Sequence, residues 1–327
     1  MTLALAGDVM LGRLVNDIIL RCGADYPWGD VLPLIRSSDL FLVNLECALT
    51  AQANRWFGAE PKPFHFRAEP SAVETLRLAG VDFVSLANNH IGDFGPEGLL
   101  ETIGVLDRAG IAHAGAGPTA AAACAPARLI AKGCAVSVVA FADHPEEWAA
   151  WDTTPGLNYA PVSLSPADLE YVESVLTDAR KQADLLICSY HWGPNMCPRP
   201  AVEFREFAHR LIGAGVDVFW GHSAHVVQAI EVVDGRLILY DTGDFLDDYA
   251  TDPRLRNDLS ALFLLRLGPA GGGRLDLVPV HIASGQVRLA QGADHDWIVR
   301  RIVELSAEFG TELAAGPDGV SLELDAV

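Results

Sequence analysis

The two histidines of Gly221-His222-Ser223-Ala224-His225 lie three residues apart, just past the apolar run Val216-Asp217-Val218-Phe219-Trp220. A turn at a strand end can aim both imidazoles into one cleft, and neutral imidazole is a good metal ligand. Alone, the pair reads more readily as hydrogen-bonded loop structure. Four further apolar runs, however, also end in ligand-type side chains: Asp8, Glu46, Asn89 and His191. Taken singly, Asp8 would be a helix cap and the asparagines turn formers. Together, the strand-end residues predict a shared polar cleft able to hold a divalent ion.

Strands must position these groups. Asp8 follows the run that opens the chain, and a helix containing Leu14, Val15, Ile18 and Ile19 is expected after it. Glu46 follows Asp39-Leu40-Phe41-Leu42-Val43, with Asn44 on the same side of the pleat. Val81 to Leu86 leads into Ala87-Asn88-Asn89-His90, and Asp184 to Tyr190 delivers His191-Trp192-Gly193-Pro194. A further strand is expected near Cys134 to Phe141, before the polar segment Asp143-His144-Pro145-Glu146-Glu147. In open α/β sheets this carboxyl edge is where ligands bind. Helices are expected over 71–79, from near Glu97, and over 166–182, 202–214 and 296–309, the last closing the chain.

After His225 the pattern changes to short strands, with Asp234-Gly235 as a hairpin turn and 268–273 as a turn inside another hairpin. The aromatic, proline-rich stretch from Trp56 to Phe66 is a candidate cover for a substrate. No repeat or linker divides the 327 residues, so one α/β domain over 1–327 with a layered sheet core is expected.

A formal net charge of -20 repels phosphate backbones and anionic lipid, which argues against nucleic-acid and membrane partners. No apolar run approaches the roughly 20 residues needed to span a bilayer. The amino terminus lacks the basic and long apolar regions of a signal peptide, so the expectation is a cytoplasmic protein without a membrane anchor. Six cysteines without a CxxC pair are expected to be reduced and mostly buried.

The order of these motifs resembles the calcineurin-like metallophosphoesterase superfamily. More closely it resembles the CapA, or poly-γ-glutamate capsule biosynthesis, family. The residues that carry the resemblance are Gly7-Asp8-Val9-Met10-Leu11-Gly12-Arg13, Asn44-Leu45-Glu46, Ala87-Asn88-Asn89-His90, His191-Trp192-Gly193-Pro194, Gly221-His222-Ser223-Ala224-His225 and Tyr240-Asp241-Thr242-Gly243-Asp244-Phe245. The resemblance implies a layered sandwich of two central β-sheets flanked by helices, with the metal site at strand ends. It also implies that Asp8, Glu46 and His225 serve one metal position and Glu46, Asn89, His191 and His222 the other. His90 would be the acid or base that is not a ligand, working beside Asp8, His191 and His222. Arg13, Asn44, Asn88, Trp192 and Asp244 would face the substrate.

Met10 stands where the superfamily usually has a second ligand histidine, and a thioether is a poor ligand for hard cations. The resulting expectation is a site for Mn²⁺, Mg²⁺, Ca²⁺ or Zn²⁺ that is poorly suited to two-metal phosphoester hydrolysis. The implied activity is that of a metal-dependent acid/base enzyme on a peptide or glutamyl-type substrate, with Cα epimerisation as its most specific form. The alternatives are hydrolysis or transfer at a peptide or γ-glutamyl amide, a phosphoesterase, and a binding module that keeps the fold without catalysis.

Overall fold

The computed structural model describes residues 1–56, 62–268 and 272–325. Seven strands carry the site: β1 (Thr2–Val9), β2 (Leu40–Leu45), β3 (Phe83–Ser85), β4 (Cys134–Ala142), β5 (Leu185–His191), β6 (Val218–His222) and β7 (Asp244–Leu246). A ten-stranded sheet contains β1, β2, β3 and β7, and a six-stranded sheet contains β4, β5 and β6. Within the first, β1 is parallel to both β2 and β7, and β2 to β3; within the second, β5 is parallel to β4 and β6. The chain is thus a layered α/β sandwich, with two central sheets and helices on their outer faces.

Period-two alternation decides which side chains meet between the sheets. On β5 and β6, Leu185, Ile187, Val218 and Trp220 join the large core shared with the first sheet. Leu186, Cys188, Tyr190 and Phe219 point the other way, into a second core with Val172 and Leu176 of the helix Pro166–Arg180 and Phe207 and Leu211 of the helix Val202–Gly213. His191 and His222 continue the first alternation, so both imidazoles face the opposite sheet. Phe83 of β3 meets Trp220 of β6 edge-on at 6.5 Å, which marks the seam between the sheets.

Register is set at the far ends of the strands. Asp39, Asp82, Asp184 and Asp217 each precede or open a parallel strand. Their carboxylates accept backbone N–H groups at the start of the neighbouring strand: Thr2, Phe41, Ala135 and Leu186, at 2.9, 2.8, 2.8 and 2.8 Å. A hydrogen bond to a charged group contributes about 1.5–3 kcal/mol. The repeated aspartate just before an apolar strand is therefore a register clamp.

Several expectations need correction. The chain does not close with a helix: after the helix Gly292–Ala307 it adds the strands Ala314–Gly316 and Gly319–Leu324, which extend the first sheet. The cysteines are free thiols, but only Cys47 and Cys188 are buried, while Cys22 is exposed. The turn at 268–273 is closed by a Gly268 N–H bond to Gly272 O of 3.1 Å, with residues 269–271 outside the described residues. Asp234 and Gly235, at φ 51° and 74°, form the expected hairpin turn. Among the described residues, no helix is long and apolar enough to cross a membrane.

Gly7 sits where β1 and β7 approach most closely, and a Cβ there would lie 1.7 Å from the Gly243 carbonyl oxygen. Gly213, at the end of a helix, has nothing among the described residues within 4 Å of a Cβ. Gly7→Ala is expected to cost about 1–3 kcal/mol or more through backbone displacement. Gly213→Ala should instead stabilise the fold by about 0.4–1 kcal/mol. Thermal unfolding of the two variants should show melting temperatures moving in opposite directions.

Candidate metal centre

The carboxyl ends of the parallel strands meet at the seam. Asp8, Glu46, His225 and Asp244 each offer a ligand atom within 4.8 Å of the others, and Asp8, His191 and His222 form a second such group. The register explains the grouping, because Asp8 pairs with Asn44 and with Asp244, and His191 with His222. Asp8 does not cap the following helix: its N-cap is Gly12, without a side-chain bond. The resemblance put Glu46 between two positions, whereas Asp8 is the residue common to both groups. Glu46 still reaches across, with Oε1 3.9 Å from His191 Nε2.

These groups are almost fully buried: His191, His222, Glu46 and Asp244 are 0% exposed and Asp8 1%. Asp8 Oδ2, Glu46 Oε1, Asp244 Oδ2, Asn89 Oδ1 and His191 Nε2 are all buried without a hydrogen-bond partner among the described residues. Unpaired buried acceptors are costly, and several at one seam call for a shared cation. The mixed carboxylate and imidazole donor set fits a divalent metal ion.

Electrostatics support that fit. Burial, then the neighbouring Asp8 carboxylate, pushes the Glu46 carboxyl well above its usual range. Burial also raises Asp244, to about 6, against the opposing pull of His225. Burial alone would lower His225, yet Asp244 and Glu46 outweigh it and hold the ring well above its usual value. His191 is driven well below the usual range by burial and the adjacent His222, and His222 falls to about 4. Neutral His191 and His222 beside crowded carboxylates suit a bound cation, and His225 would give up its proton to join them.

A layer of hydrogen bonds orients the cluster. Asn44 Nδ2 donates to Asp8 Oδ1 at 2.7 Å, and Asn88 Nδ2 holds Asn44 Oδ1 at 3.0 Å and the Leu45 carbonyl at 2.9 Å. Asn88 Oδ1 in turn accepts the N–H groups of His90 and Ile91, both at 3.1 Å. His222 Nε2 meets Ser189 Oγ at 2.8 Å, and Tyr249 Oη donates to Glu46 Oε2 at 2.9 Å. Ser223 and His225 have positive φ, 115° and 59°, which costs roughly 1–3 kcal/mol each. Asp241 braces that turn by accepting from Ala224 N–H and Gly243 N–H, both at 2.8 Å.

His90 stands beside the cluster. Its Nδ1 meets Asp93 Oδ2 at 2.7 Å, and its Nε2 lies 4.0 Å from Glu46 Oε1. Phe66 stacks on the ring at 3.8 Å between centroids, and Phe66 N–H donates to Asp93 Oδ2 at 2.6 Å. Lys62 reaches Asp93 Oδ1 and the Asn89 carbonyl. Burial, opposed by Asp93, lowers the imidazole to about 4, so it is a neutral proton acceptor at pH 7. The expected cover, Trp56 to Phe66, thus has its described ends at the site, while residues 57–61 lie outside the described residues.

Of the residues expected to face substrate, Arg13 fits the rim: its side chain is 37% exposed, pairs with Asp248 and lies over Phe64 and Phe66. Asn44 and Asn88 are 0% exposed, and their hydrogen bonds are taken up inside the protein. Trp192 belongs to the second core, with Nε1 bonded to the Tyr240 carbonyl at 2.9 Å. Asp244 sits within the ligand cluster. Met10 is fully buried, and its Sδ accepts from Gly12 N–H at 3.0 Å, so it offers nothing to the cluster; Asp244 supplies a carboxylate there instead.

Sequence reasoning missed Asp93, Tyr249 and Asp241 as parts of the site. Asp93 had a usable signal, its position three residues after His90; Tyr249 had none. His209 bonds to Glu231, and His281 pairs with Asp258 and Asp294.

Comparison with known proteins agrees with the motif order. The probable polyglutamine synthesis accessory protein of Mycobacterium tuberculosis is 33% identical over 98% of this chain and 94% of its own length. The capsule biosynthesis protein CapA of Bacillus anthracis is 29% identical over 93% of this chain and 73% of its own. A hypothetical protein from Thermus thermophilus, of known crystal structure, covers 88% of this chain and 96% of its own at 16% identity, with a TM-score of 0.44. The family described as bacterial capsule synthesis protein PGA_cap matches residues 2–249, a span that holds every side chain of the cluster, and the chain belongs to that family.

Proposed function

We propose that this protein is a metal-dependent acid/base enzyme acting on a glutamyl-type peptide, with inversion at a Cα centre as its reaction. The observation that carries the reading is a buried, carboxylate-oriented imidazole, His90, 4.0 Å from a cluster of buried ligand atoms that lack hydrogen-bond partners among the described residues. The polyglutamine synthesis named for one relative supports a glutamyl-type substrate.

A bound divalent ion would stabilise the negative charge that develops on a carbonyl oxygen when the adjacent Cα loses its proton. Asp8, Glu46, Asp244, His191, His222 and His225 would hold it. His90 would take or return the proton, with Asp93 fixing the ring through Nδ1. Phe66 and Tyr249, 5.4 Å apart and stacked, wall the site on the His90 side. Arg13 at the rim suits the carboxylate of a neighbouring glutamyl residue.

Manganese added to chelator-treated protein should raise the melting temperature, because an ion that binds only the folded state stabilises it in proportion to occupancy. Glu46→Gln should weaken metal retention by about 10-fold or more, whereas His90→Gln should keep the metal and lower turnover by roughly 10²–10⁴. Metal analysis and thermal shift on both variants decide this, and equal metal loss in both would show the roles to be misassigned.

In heavy water, a γ-linked glutamate oligomer of one chirality should gain deuterium at Cα and yield both epimers without cleavage. Phosphomonoesters and phosphodiesters should turn over weakly or not at all, since Met10 leaves the cluster without a second histidine on that loop. Cleavage without exchange would favour an amide hydrolase, and rapid phosphoester turnover would overturn the reading of Met10.

A further inference from the structure

A two-sided proton transfer needs a second group, and one stands at the end of the neighbouring strand. We propose that His144, held by Asp143, is the second proton-transfer residue of this centre, acting on the substrate face opposite His90. The proposal rests on the epimerisation reading above.

Ala142 of β4 pairs with His191 of β5, which pairs with His222 of β6, so Asp143 and His144 are the first residues past the same sheet edge. Asp143 is anchored on both sides. Its N–H donates to the His191 carbonyl at 3.1 Å, and its Oδ2 accepts Gly193 N–H at 2.8 Å. Its other oxygen bonds His144 Nδ1, leaving Nε2 on the far side of the ring from that carboxylate. The His144 ring lies 5.5 Å from that of His191, centroid to centroid, yet its side chain is 35% exposed. An imidazole that is both tethered and reachable beside fully buried ligand residues is suited to meeting a substrate.

The arrangement repeats that of His90, where an anchored aspartate also grips Nδ1 and accepts a backbone N–H. The two couples come from different sheets, His90 after β3 and His144 after β4. Contacts run from His90 Nε2 to Glu46 Oε1 at 4.0 Å, on to His191 Nε2 at 3.9 Å, and from that ring to His144. A peptide Cα beside the central pair would have one imidazole toward each face. In the step, one imidazole nitrogen takes the Cα proton while the electron pair moves onto an oxygen of the carboxylate or carbonyl group bonded to that Cα. The opposing imidazolium then gives a proton to the other face of Cα, and no oxidant or reductant is needed.

The test uses manganese-loaded protein with all-L and all-D γ-linked glutamate tetramers in heavy water, read by mass spectrometry and chiral amino-acid analysis. His144→Gln should lower epimer interconversion about 100-fold or more while metal content and melting temperature hold. It should still exchange the Cα proton of one epimer through His90, and His90→Gln should exchange only the other. Asp143→Asn, a change in a positioning residue, should show the same one-sided exchange at lower kcat with unchanged KM. Interconversion at the wild-type rate in His144→Gln, or loss of metal from it, would overturn the proposal. Wild-type protein that cleaves without exchange, or does neither, would instead overturn the epimerisation reading and the proposal with it.

Discussion

Three carboxylates, Asp8, Glu46 and Asp244, share a buried volume with the imidazole of His225, and their ligand atoms lie within 4.8 Å of one another. Burial raises the Glu46 and Asp244 carboxyls, and like charges this close in a dry interior add to the rise by opposing each other's ionisation. A folded chain tolerates such a cluster only if something else at the seam compensates. Around it lie the braced turn at Ser223–His225, the asparagine relay and the neutral pair His191–His222, and each can be understood as holding the carboxylates ready for a cation.

The asparagine relay shows how local and distant structure combine. Asn44 is on β2 and Asn88 follows β3, yet one hydrogen-bonded line runs from the N–H groups of His90 and Ile91 through Asn88 and Asn44 to Asp8. The orientation of a ligand on the first strand is thereby coupled to the loop that carries His90. Neutral amides suit this role, because each can donate and accept at once without adding charge to a crowded site.

The sequence made the strands, their polar ends and most of the cluster legible, because apolar runs and abrupt polar stops are local signals. Its failures were of two kinds. Which strand-end residues face inward depends on pairing register: Asn44, Asn88 and Trp192 sit among the right motifs but are used within the protein, and Asp244 joins the cluster because β7 lies beside β1. Tyr249 and Asp143 act through partners far away in the chain, Glu46 and Gly193, and no spacing rule records such a contact. The closing hairpin was hidden because Ala314–Gly316 and Gly319–Leu324 are short and partly polar, and pairing with the existing sheet edge supplies what their own sequence lacks.

The aspartate clamps at the opposite sheet edge have a consequence for inheritance and design. Asp184 and Asp217 stand a full strand length from His191 and His222, about 23 Å and about 17 Å at about 3.3 Å per residue. A one-residue slip of either strand would turn its histidine from the seam toward the helices. Substitutions at such positions can therefore silence the centre without touching any residue in it. A lineage that keeps every ligand but lets a clamp drift has kept the letters of the site and lost its grammar.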